Sequence, residues 1–181
     1  MKFLKTPIDG LFVLEPNTLI GSCGSFLETY NRIEFTEHGI CDCFVQDNQS
    51  LSYKGVLRGV HVQKYYPQSK IIRVLNGSIW DVAVDLRKQS STYGKWYGLE
   101  LNSRNKKQLY LPECFAHGYL TLEDNTEILM KVSTSYHPGD EIGFLWNDTT
   151  INIEWPFDTI KKLKLAEKDI NWKSFKETFS E

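Results

Sequence analysis

Cysteine is scarce in this chain, and no pair of cysteines has the spacing of a metal or redox motif. The 181 residues contain four cysteines, and the two nearest each other, Cys41 and Cys43, are separated by a single residue. A small disulfide-stabilised domain or a zinc knuckle needs a denser and differently spaced set. The sequence therefore argues against a disulfide framework, and we expect the protein to work in the reducing cytoplasm.

Long apolar runs and an excess of positive charge are also missing. A membrane-spanning helix needs roughly 18 consecutive apolar residues, no segment approaches that length, and residues 1–10 lack the apolar stretch of a signal peptide. The formal net charge is -2 at pH 7, so no global positive field attracts nucleic acid, although a local basic pocket for a phosphate group is compatible with it. We predict neither a membrane nor a nucleic acid as a partner.

The chain does contain a series of short alternating segments with turn residues between them, which is typical of a β-sandwich or a jelly roll. The segment Asn31–His38 predicts a short helix closed by Gly39, and only Ala166–Phe179 is otherwise helix-like. The polar run 46–50 is interpreted as a turn, with ligand binding as the alternative. A chain of this length suits one core. We therefore predict a single all-β jelly-roll domain over residues 1–181, with a few short helices including a C-terminal one.

The middle of the chain combines strand-like runs with three ionisable side chains. Regular alternation places His61 on the same strand face as Gly59 and Gln63, and Arg58 on the other face. Arg58 and Lys70 are cations in segments otherwise built for burial, and a buried charge is costly unless a ligand or partner compensates it. An anionic ligand would do so, which makes His61 a candidate base. The alternative is a half-buried histidine with a purely structural role.

A strand-borne metal site of the kind found in many jelly rolls would need two histidines two residues apart. The residue two positions after His61 is Gln63, so half of that pair is missing and we predict neither a metal nor another cofactor. Acid–base chemistry without a metal instead needs a carboxylate bonded to the far nitrogen of the base. His117, which lies between a loop and a glycine, either bonds a ligand oxygen or is structural.

Six segments occur in an order that resembles the motifs of the dTDP-4-dehydrorhamnose 3,5-epimerase family. They are GVLRGVHVQ, PQSK, GSIWDVAVDLR, YGKW, LYLPECFAHGYL and LAEKDINW, and together they extend over nearly the whole chain. The resemblance implies a cupin jelly roll that forms a homodimer and acts, without a metal, on a nucleotide-linked 4-keto-6-deoxy sugar.

The resemblance also implies roles for individual residues. His61 matches the base, Asp169 the carboxylate that orients it, and Lys70 the cation beside the keto oxygen. The positions that match contacts to the sugar or the nucleotide diphosphate are Arg58, Glu28, Gln46, Asn48, His117, Glu141 and Lys168. The strand from Phe26 to Glu28 matches one that the family's partner subunit lends to the nucleotide site.

Two departures from the family pattern bear on activity. Met130 stands where the family has the tyrosine that donates a proton on the face opposite the base, and a thioether has no acidic proton. Tyr136 or water would have to replace it. In the loop 22–26, Cys23 and Ser25 replace a family arginine and phenylalanine, which alters nucleotide recognition. This loop favours the branch of the family that acts on GDP-linked 4-keto-6-deoxy heptoses for capsule polysaccharides.

The sequence leaves several functions open. The leading hypothesis is an epimerase that inverts C3 of a nucleotide-linked 4-keto-6-deoxy hexose or heptose in bacterial surface-polysaccharide biosynthesis. The alternatives are a 3,5-double epimerase acting on dTDP-4-dehydro-6-deoxyglucose and a 3,4-ketoisomerase of the same fold. A non-catalytic sugar-nucleotide-binding cupin is disfavoured, because binding alone needs no oriented base.

Overall fold

The computed structural model describes residues 1–179, whose regular secondary structure consists mainly of short β-strands. The strands are β1 (Lys2–Lys5), β2 (Phe12–Glu15), β3 (Thr18–Gly21), β4 (Gly24–Leu27), β5 (Gln46–Ser52), β6 (Val56–Gln63), β7 (Lys70–Asn76), β8 (Ser78–Asp85), β9 (Trp96–Asn102), β10 (Gln108–Leu111), β11 (Phe115–Thr121), β12 (Thr126–Val132), β13 (Glu141–Gly143) and β14 (Lys164–Leu165). The helices are α1 (Arg32–Glu37), α2 (Glu167–Ile170) and α3 (Phe175–Phe179), with a 3₁₀ turn at Phe157–Thr159. None of these helices is long and apolar enough to cross a membrane.

The strands form two facing sheets and one separate hairpin. The first sheet has the order β1-β2-β10-β7-β12-β5, and the second has the order β13-β6-β11-β8-β9, with β14 parallel to β6. The hairpin consists of β3 and β4. Apart from the β6–β14 pair, neighbouring strands pair antiparallel, including strands distant in sequence such as β2 and β10. The prediction of an all-β jelly roll with short helices is confirmed.

Apolar side chains fill three layers, one between the sheets and one on the outer face of each. Alternate residues of β8 show this: Ile79 and Ala83 belong to the inner cluster, whereas Val82 and Val84 belong to the outer cluster that Phe175 of α3 joins. A strand buried on both faces reads as a continuous apolar run. Burial on both faces therefore explains why β8 shows little apolar/polar alternation in the sequence.

The regular alternation predicted for β6 is wrong at one position, and the departure shapes the site. Between the pairs Tyr119–Arg58 and His117–His61, β6 contains one residue more than β11, which is a β-bulge. Because the bulge shifts the side-chain parity, Arg58 and His61 both line the same cavity instead of lying on opposite faces, although Arg58 is exposed there and not buried as its segment suggested. Gly59 allows the bulge, since its φ is +107° and a Cβ there would lie 2.5 Å from the carbonyl oxygen of His117.

The helix predicted near the N-terminus is confirmed. Residues 22–23 form the turn of the β3–β4 hairpin. The helix predicted at Asn31–His38 is α1, whose first turn is capped by the side-chain oxygen of Asn31. It ends at Glu37 with His38 as its C-cap, and Gly39 follows with a φ of +82°.

Two local predictions are wrong. The polar run 46–50 belongs to β5, where Gln46, Asn48 and Ser50 alternate with exposed residues and pair with β12. Its inward side chains are polar because they face a cavity and not the apolar core. The predicted continuous helix Ala166–Phe179 is interrupted, because residues 171–174 are not helical. Within this break, the carbonyl of Lys173 accepts a hydrogen bond from the amide of Leu145.

Candidate active site

A cavity of about 200 Å³ lies between the two sheets and brings most of the predicted site residues together. Its lining residues are Asn48, Ser50, Arg58, His61, Gln68, Lys70, His117, Tyr119, Met130, Val132, Tyr136, Glu141, Lys168 and Asp169. Strands β5, β7 and β12 of the first sheet form one wall, and β6 and β11 of the second sheet form another. Ionisable groups from distant parts of the chain therefore face one enclosed space.

His61 is mostly buried in this cavity, with 19% of its side chain exposed. Burial lowers the pKa of its imidazole well below the usual value, and the nearby Lys70, Lys168 and His117 lower it further. The ring is therefore neutral at physiological pH. A neutral imidazole can accept a proton, so the environment of His61 suits a general base.

Glu141 is the carboxylate nearest to His61. One of its oxygens lies 3.7 Å from Nδ1 of His61, and the other accepts a hydrogen bond of 2.6 Å from Nζ of Lys168. The predicted sugar-contact residues Glu141 and Lys168 thus form an ion pair beside the base.

Asp169 lines the cavity but bonds a different partner from the one predicted for it. Its carboxylate is fully buried and accepts a hydrogen bond of 3.3 Å from the indole of Trp172, and no hydrogen bond joins it to His61 within residues 1–179. Its second oxygen has no hydrogen-bond partner in that range. Burial raises the pKa of this carboxyl group. The role of Asp169 as the orienting carboxylate remains a prediction.

Lys70 and His117 also line the cavity. Lys70 is the first residue of β7, and burial lowers its pKa to about 8, although Glu141 and Asp81 partly oppose that shift. His117 pairs directly with His61 across β11 and β6, and its Nε2 lies 2.7 Å from the buried carboxylate of Asp81. Of the two roles considered for His117, its position on the cavity wall favours contact with a ligand, and Asp81 fixes its ring.

The remaining predicted contacts divide into two groups. Asn48, Arg58, Met130 and Tyr136 line the cavity. Gln46 lies behind it, where its side chain donates to Asn48 and accepts from the amide of Tyr136. Glu28 bonds Asn31, and Phe26 is 69% exposed on the hairpin, so neither lines the cavity within this single chain.

Four lining residues were not found by sequence reasoning: Ser50, Gln68, Tyr119 and Val132. Tyr119 had a usable signal, because it lies two residues after His117 and therefore shares its strand face. Ser50 was missed because its segment was interpreted as a turn. Gln63 does not line the cavity. Its buried side chain donates a hydrogen bond to the carbonyl of Tyr66 and accepts one from the amide of His137.

Within residues 1–179, no group of three or more histidine, cysteine, aspartate or glutamate side chains is placed to hold an ion.

Comparison with known proteins agrees with this site and fold. Residues 5–177 match the family model described as dTDP-4-dehydrorhamnose 3,5-epimerase. A dTDP-4-dehydrorhamnose 3,5-epimerase of Methanothermobacter thermautotrophicus is 46% identical over 176 residues, which are 97% of this chain and 95% of that protein. The crystal structure of the enzyme of that name from Elizabethkingia anophelis has a TM-score of 0.94 and 41% identity, with 99% of this chain and 98% of the other covered.

A third relative was solved with a ligand. It is the dTDP-6-deoxy-D-glucose-3,5-epimerase of Legionella pneumophila in complex with dTDP-4-keto-L-rhamnose, with a TM-score of 0.92, 38% identity and coverage of 96% of this chain and 92% of the other. The preference for GDP-linked heptoses is not supported, because the family model and these three relatives are all named for dTDP-linked sugars. The chain belongs to the dTDP-4-dehydrorhamnose 3,5-epimerase family and is an isomerase.

Proposed function

We propose that this protein inverts both C3 and C5 of dTDP-4-dehydro-6-deoxyglucose. The observation that carries the proposal is a neutral buried base, His61, in the same cavity as the buried cation Lys70. The names of the relatives supply the nucleotide and the pair of carbons. This reading replaces inversion at C3 alone as the best-supported function.

The chemistry follows from the acidity of a carbon next to a ketone. C3 and C5 both neighbour the C4 carbonyl, so removal of a proton from either carbon gives an enolate with its charge on the same oxygen. A cation at that oxygen stabilises the transition state more than the ground state. In the proposal, His61 removes the proton, and Lys70 together with the His117 ring stabilises the enolate.

The diphosphate would bind at the mouth of the cavity. Arg58 lines the cavity, is exposed, and has no ion-pair partner within residues 1–179. Its guanidinium offers the paired donors that suit phosphate oxygens. Asn48, held by Gln46, supplies an amide on the facing wall for a sugar or nucleotide oxygen.

One observation keeps inversion at C3 alone as a second candidate. Met130 lines the cavity and offers no proton, so one of the two carbons would lack an acid if no other group replaced it. A 3,4-ketoisomerase would instead need a proton shuttle between C3 and the C4 oxygen on one face. The location of exchanged hydrogen separates these reactions.

We also propose that the working unit is a homodimer in which the β3–β4 hairpin packs against a second copy. Leu19, Ile20 and Phe26 are 68%, 84% and 69% exposed on this hairpin, and no other sheet pairs with it in the described chain. Exposed apolar side chains in one cluster mark an interaction site. A second copy would cover them and bring Phe26 and Glu28 near a cavity.

The test is incubation with dTDP-4-dehydro-6-deoxyglucose in heavy water, with NMR to locate deuterium and the configuration of the product. We expect deuterium and inversion at both C3 and C5, and none with His61→Asn, because a general base contributes about 10²- to 10⁴-fold. Deuterium at C3 alone would support the second candidate. No exchange at either carbon would refute the epimerase proposal, and equal turnover of the GDP-linked sugar would refute the choice of nucleotide.

A further inference from the structure

Gln68 is a buried amide on the cavity wall that the site described so far does not use. Its side chain is 7% exposed and lines the cavity. The amide nitrogen Nε2 donates a hydrogen bond of 2.6 Å to the backbone carbonyl of Thr134. Because a carbonyl oxygen can only accept, this bond fixes which end of the amide faces Thr134. The oxygen Oε1 is the end left for another partner.

This oxygen lacks a donor in the protein itself. No group within residues 1–179 donates a hydrogen bond to Oε1 of Gln68, and the oxygen is not one of the unpartnered polar atoms in that range that are sealed from solvent. An enclosed acceptor without a donor costs free energy, so it needs a donor from water or from a ligand. Oε1 therefore selects a ligand group that carries a hydrogen to donate, such as a hydroxyl.

Asn48 presents the opposite end of its amide to the cavity. Its Oδ1 accepts a hydrogen bond of 2.7 Å from Gln46, so its amide nitrogen is the group available to a ligand. Asn48 lies on β5 and Gln68 lies just before β7 of the same sheet. A ketone or phosphate oxygen, which only accepts, suits Asn48 and is excluded from Gln68.

The position of Gln68 relative to Lys70 indicates which part of a sugar it meets. Gln68 precedes Lys70 by two residues, and both side chains line the cavity. Lys70 is 9% exposed at the start of β7, whereas Thr134, to which Gln68 bonds, is two residues before Tyr136, which is 48% exposed. The wall from Lys70 through Gln68 therefore runs from the enclosed part of the cavity toward its mouth.

The sugar ring of the proposed substrate has only two free hydroxyl groups, on C2 and C3. With the C4 oxygen at Lys70 and the diphosphate on C1 at the mouth, C3 and then C2 follow one another along this wall, so C2 lies on the side of Gln68. The C3 hydroxyl also changes direction when C3 is inverted, whereas the C2 hydroxyl keeps its configuration through both inversions. A fixed acceptor suits the hydroxyl that does not change.

We propose that Oε1 of Gln68 accepts a hydrogen bond from the C2 hydroxyl and makes the enzyme selective for sugars that carry this hydroxyl. The inference rests on the function proposed above, and it gives Gln68 a role in substrate specificity and not in proton transfer. A 2-deoxy sugar would leave Oε1 without a donor in an enclosed site, and a site built to bond a hydroxyl discriminates against a substrate that lacks it.

The test compares dTDP-4-dehydro-6-deoxyglucose with its 2-deoxy analogue in heavy water, with kcat/KM for hydrogen exchange next to the ketone measured by NMR. We expect the wild type to prefer the complete sugar by at least about tenfold, because Oε1 otherwise stays unpaired. Gln68→Met, which is similar in length but has no amide, should reduce this preference by at least about fivefold. The ratio between the two sugars cancels any general loss of activity.

The matched control is Gln63→Leu. Gln63 bonds the same segment as Gln68, through the carbonyl of Ser135 and the amide of His137, but it does not line the cavity. Loosening of this segment should lower the activity on both sugars equally. We therefore expect Gln63→Leu to leave the preference for the complete sugar unchanged.

The outcomes separate this inference from the function on which it rests. A wild type that uses both sugars with equal kcat/KM would overturn the inference, whether or not any variant folds. An unchanged preference in Gln68→Met would also overturn it, as would an equal fall in Gln63→Leu. If Gln68→Met instead loses a preference for the complete sugar over its 3-deoxy analogue, the assignment to C2 is wrong. A wild type without exchange in the complete sugar would refute the proposed function itself.

Discussion

At the scale of single residues, the cavity holds a neutral base, His61, together with a cation, Lys70. Burial drives His61 toward its neutral form and also lowers the pKa of Lys70, to about 8, so the base is free while the cation is still mostly protonated near neutrality. A pair of titratable groups separated in this way is typical of an acid–base site.

The first prediction is a bell-shaped pH profile of kcat/KM, which reports the free enzyme. Activity needs neutral His61, so it should fall only as the pH drops below the usual range of histidine. It also needs cationic Lys70, so it should fall as the pH rises through about 8. Lys70→Arg should move the alkaline limb upward, because an arginine stays protonated. If Lys70→Arg leaves the alkaline limb unchanged, that limb does not report the ionisation of Lys70.

The second prediction distinguishes the two carboxylates near His61. Asp169→Asn keeps an oxygen acceptor for the Trp172 indole, so we expect a folded protein with a melting temperature within a few degrees of wild type and a kcat lowered by about tenfold or more. Glu141→Gln, which breaks the ion pair with Lys168, should chiefly raise KM. If only Glu141→Gln lowers kcat, then Glu141, which lies 3.7 Å from His61, is the orienting group.

At the scale of elements, the bulge in β6 is the feature on which the site depends. It turns Arg58 and His61 toward the same cavity, and Gly59 is the residue that permits it. The segment 134–137 is a second such feature, because the buried side chains of Gln63 and Gln68 bond its backbone and so hold the loop that carries Tyr136.

The third prediction concerns Gly59→Ala. The new Cβ would lie 2.5 Å from the carbonyl oxygen of His117 in addition to the cost of a positive φ, so we expect a loss of more than about 3 kcal/mol of unfolding free energy. Gly39→Ala is the control, since Gly39 has a φ of +82° with no atom within 4 Å of a Cβ, and it should cost about 1–2 kcal/mol. Urea denaturation measures both, and equal losses would show that the close contact is not important.

The fourth prediction concerns Gln63→Leu. This change leaves the amide of His137 and the carbonyl of Tyr66 without their side-chain partner, and we expect about 1–3 kcal/mol of destabilisation. Hydrogen exchange should also become faster in residues 134–138. Gln49→Leu, at an exposed position that bonds only Glu127, should change stability by less than about 0.5 kcal/mol. Unaltered exchange in 134–138 would mean that Gln63 does not hold this segment.

At the scale of the whole molecule, the β3–β4 hairpin presents apolar side chains that the rest of residues 1–179 does not cover. The hairpin exposes Leu19, Ile20 and Phe26, whereas the outer face of each sheet is covered by its own apolar cluster. In the proposed homodimer, a second copy of the chain would cover this hairpin.

The fifth prediction is therefore a dimer in solution. Light scattering should give twice the mass of one chain at micromolar concentration, and Phe26→Glu should shift the protein toward the monomer because a charge would be buried at the interface. Ile33→Glu, at an exposed position on α1, is the control and should leave the dimer intact. An active wild-type monomer would contradict the dimer proposal.

The fold class was accessible from the sequence because strand periodicity and turn residues are local signals. The short helix that Asn31 caps was predictable for the same reason, since its capping depends on neighbouring residues only. The ordered motifs also pointed to His61, Lys70, His117 and Asp169, which the structure places around one cavity.

Only the tertiary structure decided which side chains meet. The bulge that brings Arg58 beside His61 depends on the pairing of β6 with β11, and the polar face of β5 depends on a cavity formed by two sheets. The burial of the Tyr119 hydroxyl likewise depends on strands that are far apart in the chain. Periodicity reports which residues alternate along a strand, whereas register, bulges and burial are set by contacts between strands, and these determined the chemistry of the site.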